Sequence, residues 1–372
     1  MTTQIDATSA GAEDALADPG EVEAFAGRIV GDLAATMTTI FCSLGDKLGL
    51  FAALSSLGPS TPGEVAQSSG ANERYVREWL HGLTAAGYLE YDRTTERYAL
   101  PAAHAAVLAD EGGVWFLAGG YQEFAGMLPA LGRIEAAFRE GGGVPQAAYA
   151  DDAYDGMSRF TRAWFDHRLL GDWLPALPHL QERLDAGIRW ADVGCGAGRG
   201  VIRLAEAFPA STFVGYDAFP AQVERARKAA EDAGMSDRVR FEVADASRGL
   251  PETFDVISTF DVVHDAADPA GLVAGIRRSL AEDGTYLWLE INCEDDPADN
   301  TGPIATVMYG FSVLYCMTTS LAQGGAGLGT CGCPPAVVDQ LGRSAGFASV
   351  RELPIGDPFN RLYELRPTSA GS

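Results

Sequence analysis

The chain has 372 residues, of which 47% are hydrophobic and 21% charged, and its formal net charge at pH 7 is -24. This length allows two domains with full hydrophobic cores, and the negative charge disfavours nonspecific binding to nucleic-acid phosphates. No apolar run predicts a membrane span, and the acidic N-terminus lacks the basic and apolar regions of a signal peptide. We therefore expect a cytoplasmic protein without a membrane partner.

The cysteines bear on both compartment and metal binding. The chain has six of them, Cys42, Cys195, Cys293, Cys316, Cys331 and Cys333. A scattered set in a large chain indicates reduced thiols rather than a disulfide framework. Cys331 and Cys333 form a C-x-C pair, but no C-x-x-C motif or histidine lies near them, so we predict no metal site.

The first segment of the chain, residues 1–20, is small, polar and acidic and predicts a disordered tail. Apolar residues then recur at helical spacing from about residue 22 to 57. Thr61 before Pro62, and Asn72, are N-cap signals for two further helices, and "GYLEYDRTTERYAL" predicts a two-stranded wing. The second of these helices is expected to bury Tyr75, Val76, Trp79, Leu80 and Leu83. This order of elements predicts a winged-helix domain over residues 21–110.

Residues 111–186 are richer in glycine and aromatic side chains and form, by our interpretation, a helical linker and pocket-forming region. Within it, "YDGMSRFTRAWFDHRLLGDWLPAL" predicts one amphipathic helix. Its aromatic stripe of Phe160, Trp164 and Trp173 is typical of a buried core. The function of this region cannot be taken further from single residues.

From residue 187 to 368 the pattern changes to alternating strands and helices. Six short strand-like runs, from "IRWADVG" to "SVRELPI", are separated by helical segments. The alternation predicts an α/β domain with a mostly parallel sheet and helices on both faces. The last two runs, "SVRELPI" and "RLYELRP", are expected to pair as an antiparallel hairpin.

The stretch "WADVGCGAGRG", residues 190–200, places glycines where a strand meets a helix. Gly194 permits a tight turn, Gly196 lets a ligand approach the backbone, and Gly198 lets the helix pack closely. Dinucleotide enzymes and methyltransferases share this motif, so alone it is weak.

The ends of the next two strands carry further candidate ligand contacts. Asp217, about 20 residues beyond the glycines, suits the ribose hydroxyls, and its alternative role is a helix N-cap. Phe219 is either an adenine contact or core. At the third strand end, Asp245 and Ala246 are placed to meet the adenine amine, although a strand-end acid is also common in solvent. Three spaced signals are stronger than one.

Together, "DVGCGAG", "GYD" and "ADA" resemble the corresponding motifs of the class I methyltransferases that use S-adenosylmethionine (SAM). The winged-helix pattern ahead of them resembles the bacterial and plant small-molecule O-methyltransferases. The resemblance implies a Rossmann-like seven-stranded methyltransferase sheet, SAM as cofactor and a homodimer formed by the winged-helix domain. It also implies a place for Asp261 near the methionine ammonium, where it either contacts that group directly or caps the following loop. Asp192 is a similar candidate through a water.

The same resemblance assigns the chemistry to the "HD" pair after the fourth strand. His264 matches the general base, since imidazole titrates near neutrality and can take a proton from a hydroxyl. Glu290, at the end of the next strand, matches the acid that orients it. A loop histidine and a structural acid are the alternatives. The family usually continues with tryptophan after this pair, whereas this chain continues with "AADP".

These observations predict a SAM-dependent methyltransferase that acts on a hydroxyl or phenol of a small secondary metabolite. The first alternative is N- or C-methylation by the same fold. The second is a DNA-binding regulator that senses SAM, and the third, methylation of RNA, is opposed by the net charge. The candidate recognition helix "ANERYVREWLHGL" carries acids beside its arginines, which favours dimerisation over DNA binding.

Overall fold

A computed structural model describes residues 18–367 of the chain. They divide into two compact units, and the boundary along the chain lies between Pro101 and Ala102. Most of the tail expected at residues 1–20 lies outside the described residues, and Asp18 caps the first helix by accepting a hydrogen bond from Gly20 N at 2.8 Å. The domain limits drawn from the sequence stay predictions.

The first unit is a small helical domain with a two-stranded sheet. Its elements are α1 Pro19–Lys47, α2 Leu50–Leu57, α3 Pro62–Ser69, α4 Glu73–Ala85, β1 Glu90–Asp92 and β2 Arg97–Ala99. Thr61 and Asn72 cap α3 and α4 as expected, the former in a capping box with Glu64. The antiparallel pairing of β1 and β2 forms the predicted wing.

The core of the first unit lies between α1, α2 and α4. The Trp79 indole donates to the Phe41 carbonyl at 2.8 Å and packs edge-on against Phe51. Val76, Leu80 and Leu83 are buried beside it, but Tyr75 is 79% exposed, so its predicted burial is wrong. The helix places Tyr75 one residue before the buried face, on the solvent side.

The second unit begins with helices that precede its sheet. They are α5 Ala102–Leu108, α6 Gly119–Met127, α7 Leu131–Glu140, α8 Asp151–Phe160 and α9 Pro178–Ala186. The single helix expected from Tyr154 to Leu177 is wrong, because α8 ends at Phe160 and a π-helical segment follows over Trp164–Trp173. Trp164 and Trp173 are buried as expected.

The sheet of the second unit has seven strands in the order β5-β4-β3-β6-β7-β9-β8. These are β3 Arg189–Val193, β4 Thr212–Asp217, β5 Val239–Val243, β6 Phe254–Phe260, β7 Leu280–Ile291, β8 Ser349–Leu353 and β9 Asn360–Arg366. The first five pair in parallel, and β8 and β9 form the expected antiparallel hairpin beside β7. The chain reverses direction across the sheet between β3 and β6, which is where such sheets bind ligands.

Helices connect these strands and cover the sheet. They are α10 Arg199–Ala207, α11 Pro220–Asp232, α12 Pro269–Ser279, α13 Gly302–Phe311, α14 Met317–Ala322 and α15 Pro335–Ser344. Two buried apolar clusters pack against the strands, one around Trp190 and Leu204, the other around Ile257 and Trp288. The result is the mostly parallel α/β sheet that the alternating pattern predicts.

One helical stretch among the described residues, 302–322, is long and apolar enough to cross a membrane by length and composition. The expectation that the chain has no such run is therefore wrong. Met308, Phe311 and Tyr315 of this stretch line an internal cavity. Interior helices have the same composition as membrane spans, which makes this weak evidence for a membrane segment.

Candidate active site

A cavity of about 670 Å³ lies at the carboxyl ends of the parallel strands in the second unit. It brings together most of the residues that the sequence singled out, namely Gly194, Gly196, Asp217, Phe219, Asp245, Ala246, Asp261 and His264. Asp192, Gly198 and Glu290 do not line it. Gly198 N donates to the carbonyl of Cys195, and Glu290 contacts His264, so these two support residues of the lining.

The glycine turn that follows β3 is built as its sequence predicts. Gly194, Gly196 and Gly198 all have left-handed backbones, with φ of 71°, 51° and 77°. A Cβ at Gly194 or Gly198 would lie 2.5 Å from a neighbouring side chain, whereas one at Gly196 would meet open space. Gly196 is thus the point where the backbone is accessible from the cavity.

Asp217 closes the other side of this turn from the end of β4. Its carboxylate accepts hydrogen bonds from Gly196 N at 3.0 Å and from Phe219 N at 2.8 Å. Burial raises the pKa of Asp217, and these two backbone bonds oppose the rise. The carboxylate therefore holds the glycine turn and also faces the cavity.

The end of β5 is more open than that of β4. Asp245 is exposed, and Ser247 donates to it from both its backbone and its hydroxyl, at 3.1 and 2.6 Å. These bonds lower the pKa of Asp245, with the hydroxyl bond the larger cause. Ala246 beside it is buried, and Phe219 packs against the Tyr154 ring with centroids 6.0 Å apart.

Two more candidate acids, Asp192 and Asp261, come from the neighbouring strands β3 and β6. Asp192 on β3 is buried and accepts a 2.7 Å hydrogen bond from the Ser258 hydroxyl, and burial raises its pKa to about 7. Asp261, at the end of β6, has a left-handed backbone with φ of 56°. Asn360 donates to both its oxygens, at 2.9 and 3.0 Å, while burial raises the pKa of Asp261 to about 8. No sequence pattern marked Asn360.

His264 and Glu290 form a buried pair at the far wall of the cavity. His264 Nδ1 lies 2.6 Å from Glu290 Oε2, and the same carboxylate accepts from the Trp288 indole at 2.9 Å. Burial by itself lowers the pKa of His264, but the charges of Glu290 and Asp265 outweigh it and hold that pKa well above its usual value. Glu290 thus fixes the ring through Nδ1 and leaves Nε2 as the reactive nitrogen.

The Nε2 side of His264 has neighbours that the sequence did not predict. Asp265 Oδ1 lies 3.3 Å away, and the Cys316 thiol is within hydrogen-bonding reach of the ring. One ligand atom from each of His264, Asp265 and Cys316 lies within 4.8 Å of the others, an arrangement of ligand types that zinc accepts. Burial raises the pKa of Cys316 to about 12, so its thiol is neutral in the absence of a cation.

Part of the cavity lining, called the aromatic wall below, consists of aromatic side chains. Tyr154, Phe160 and Trp164 come from the helices before the sheet, and Phe311 and Tyr315 come from the 302–322 stretch. Glu123, on α6, is the acid among them, and no sequence pattern marked it. An acid in the glycine-flanked apolar stretch "GGYQEFAGM" was the signal available.

Comparison with known proteins agrees with this architecture. Residues 35–110 match the Rv2258c-like winged HTH domain family, and residues 184–312 match a methyltransferase domain family. The chain is 30% identical over 106 residues to a ubiquinone biosynthesis O-methyltransferase of Cereibacter sphaeroides, covering 28% of this chain and 42% of that protein. It is 38% identical over 104 residues to the 27-O-demethylrifamycin SV methyltransferase of Amycolatopsis mediterranei, covering 27% and 38%.

Solved structures resemble the chain over most of its length. The mitomycin 7-O-methyltransferase MmcR superposes with a TM-score of 0.67 at 20% identity, covering 93% of this chain and 99% of its own. Human N-acetylserotonin methyltransferase, solved with SAM, gives 0.65 at 20% identity over 92% and 98%. The sequence matches span less than half of the curated relatives' length.

The chain therefore consists of a winged helix-turn-helix domain followed by a methyltransferase domain. Its fold over both domains is that of the solved O-methyltransferases, which confirms the fold class predicted from its sequence.

Proposed function

We propose that the protein is a SAM-dependent methyltransferase that methylates a hydroxyl group of a small molecule. The observation that carries this proposal is that one cavity joins the glycine turn and Asp217 to His264, which Glu290 holds through Nδ1. One end has the features of a nucleotide-type site, and the other has a positioned base.

The residues of the first end fit SAM. Gly196 leaves the backbone accessible, and Asp217 offers a carboxylate to ribose hydroxyls. Phe219, Asp245 and Ala246 would hold the adenine. Asp261 would meet the methionine ammonium, with Asp192 buried behind it. When bound, SAM supplies a methyl group activated by its sulfonium.

His264 is the proposed general base. Glu290 holds Nδ1, so the proton of the acceptor hydroxyl goes to Nε2, and the charge of Glu290 stabilises the resulting imidazolium. A positioned base of this kind typically accelerates a reaction by about 10²–10⁴-fold. The aromatic wall excludes water from the acceptor and orients it, which is the other requirement of methyl transfer.

The relatives support this choice of acceptor. Several curated relatives and solved neighbours are named as O-methyltransferases, and the neocarzinostatin enzyme NcsB1 was solved with SAM and a hydroxylated naphthoic acid. One neighbour, RosA, is named as a dimethyltransferase of an amino-riboflavin. N-methylation therefore remains the second candidate, and the buried base favours a hydroxyl acceptor over it.

We propose that the winged helix-turn-helix domain forms a homodimer rather than binding DNA. On α4, Arg74 pairs with Glu78 and Arg77 with Glu73, so the arginines of this helix are neutralised. On α1, a row of large apolar side chains is exposed, a feature typical of an association surface. They are Val22, Phe25, Ile29, Val30, Leu33, Met37, Ile40 and Leu44. We also propose a cytoplasmic location, since no disulfide joins the six cysteines, all of which lie among the described residues.

The test of this function uses SAM with an isotopically labelled methyl group. The protein is incubated with it and with fractionated extract of the producing cells, and labelled products are sought by mass spectrometry. We expect label in a small hydroxylated compound. Label confined to RNA or protein, or tight SAM binding with no product at all, would overturn the proposal.

A further inference from the structure

Glu123 is a buried acid that the proposed chemistry does not use. It sits on α6, is 5% exposed and lines the acceptor end of the cavity. Its Oε2 is buried and has no hydrogen-bond partner among the described residues. An unpaired buried carboxyl oxygen costs free energy, so its presence in a cavity points to a ligand that pairs with it.

The backbone holds Glu123 in this position. A Cβ at Gly156 would lie 2.1 Å from Glu123 N, and one at Gly126 would lie 2.3 Å from Ala153 N. Only glycine allows α6 and α8 to approach so closely. The contact holds the Glu123 backbone directly against α8. A shift of α6 therefore cannot remove the unpaired carboxyl oxygen from its buried position.

A second unpaired oxygen lines the same cavity. Asp265 Oδ1 is buried and has no hydrogen bond of good geometry among the described residues, although His264 Nε2 lies 3.3 Å from it. The charge of Asp265, together with burial as the larger cause, raises the pKa of Glu123 to about 8. Both carboxyl groups thus line the same cavity as like charges.

No cationic side chain of the described lining contacts the buried Glu123 Oε2, whereas His264 Nε2 lies 3.3 Å from Asp265 Oδ1. Arg199 is the guanidinium in its described lining, and it donates to Asp166 at 2.9 Å. The aromatic side chains of Tyr154, Phe160 and Trp164 also face the cavity, and aromatic faces attract cations. The acceptor end is thus acidic and aromatic, a combination that suits a positively charged nitrogen.

We propose that the methyl acceptor carries a protonated amine, which binds between Glu123 and Asp265 while its hydroxyl is methylated. The inference rests on the proposed function, because it assigns this end of the cavity to the acceptor. The ammonium replaces the proton that Glu123 carries, so binding it releases one proton and leaves no buried charge unpaired. The amine stays protonated and is not itself the methylated atom.

The experiment measures binding rather than turnover. The full-length protein, saturated with S-adenosylhomocysteine, is titrated by calorimetry with a panel of hydroxylated aromatic amines such as tyramine. Each amine is matched with its isostere in which a methyl group replaces the amino group, 4-propylphenol for tyramine. We expect the amines to bind at least about 10-fold more tightly than their isosteres, as one hydrogen bond to a charged group provides.

Glu123→Gln tests the residue, and Glu140→Gln, on the exposed end of α7, is the matched control. We expect Glu123→Gln to lower the amine-to-isostere affinity ratio about 10- to 100-fold and Glu140→Gln to leave it unchanged. Equal affinity for amines and isosteres, or an unchanged ratio in Glu123→Gln, would overturn the inference. Methyl transfer is read separately with labelled SAM, so a failure of the proposed function is distinguishable from a failure of amine recognition.

Discussion

A substitution at His264 can test its role as a base only if the variant keeps the stability of the fold. His264 is 3% exposed, and its loss in His264→Ala would leave the buried Glu290 carboxylate without its main partner. Breaking such a pair typically destabilises a protein by about 3–5 kcal/mol, which would confuse any loss of activity. His264→Asn is the better change, because the asparagine amide can still donate to Glu290 but cannot accept a proton at neutral pH.

We expect His264→Asn to lower kcat by about 10²–10⁴-fold, the usual contribution of a positioned base. Its affinity for SAM should stay within about 2-fold of the original, because His264 lies at the acceptor end and not at the glycine turn. Turnover is followed by release of S-adenosylhomocysteine and affinity by calorimetry. A loss of kcat below 10-fold with SAM binding intact would refute the base and favour an amine acceptor that needs none.

Three further predictions follow from the same geometry. Asp217→Ala should weaken SAM binding by at least about 100-fold, because two hydrogen bonds between its carboxylate and the ribose hydroxyls are lost. The control Asp232→Ala, on α11, should leave SAM affinity unchanged when both variants are measured by calorimetry. The pKa of His264 is held well above its usual value, so kcat/KM should rise with pH through a pKa higher than that of free imidazole, and Asp265→Asn, which removes a charge that raises this pKa, should move the rise to lower pH. A profile unmoved by Asp265→Asn would contradict that reasoning. Leu33→Asp on α1 should convert a dimer to monomer in light scattering, and Thr95→Asp in the wing turn should not; a monomeric original protein would end the dimer proposal.

The fold could be predicted from the sequence because the signals for its helices and strands are local. Capping residues such as Thr61 and Asn72 satisfy backbone groups within one turn, and alternating strand and helix patterns report burial directly. The glycine turn was predictable for the same reason, since each glycine has its own backbone requirement. The prediction of one continuous helix was wrong because the helix changes its pitch at Trp164–Trp173. That change depends on packing rather than on helix propensity.

The acceptor end of the site was much less predictable. Glu123 and Cys316 reach the cavity, and Asn360 reaches Asp261, only because distant segments meet there. Glu123 depends on glycine contacts between α6 and α8, which lie about 30 residues apart, and no periodicity encodes them. His264 and Glu290 were found through a family resemblance, and their mutual distance of 2.6 Å came from the fold.

The central claim is that His264 drives transfer of a methyl group to oxygen. The most direct measurement is NMR of the product formed from SAM with a ¹³C-labelled methyl group, which identifies the atom that carries the label. We expect a labelled methoxy group, formed by the original protein and lost in His264→Asn. Label on nitrogen or carbon, or a methoxy product made equally well by His264→Asn, would contradict it.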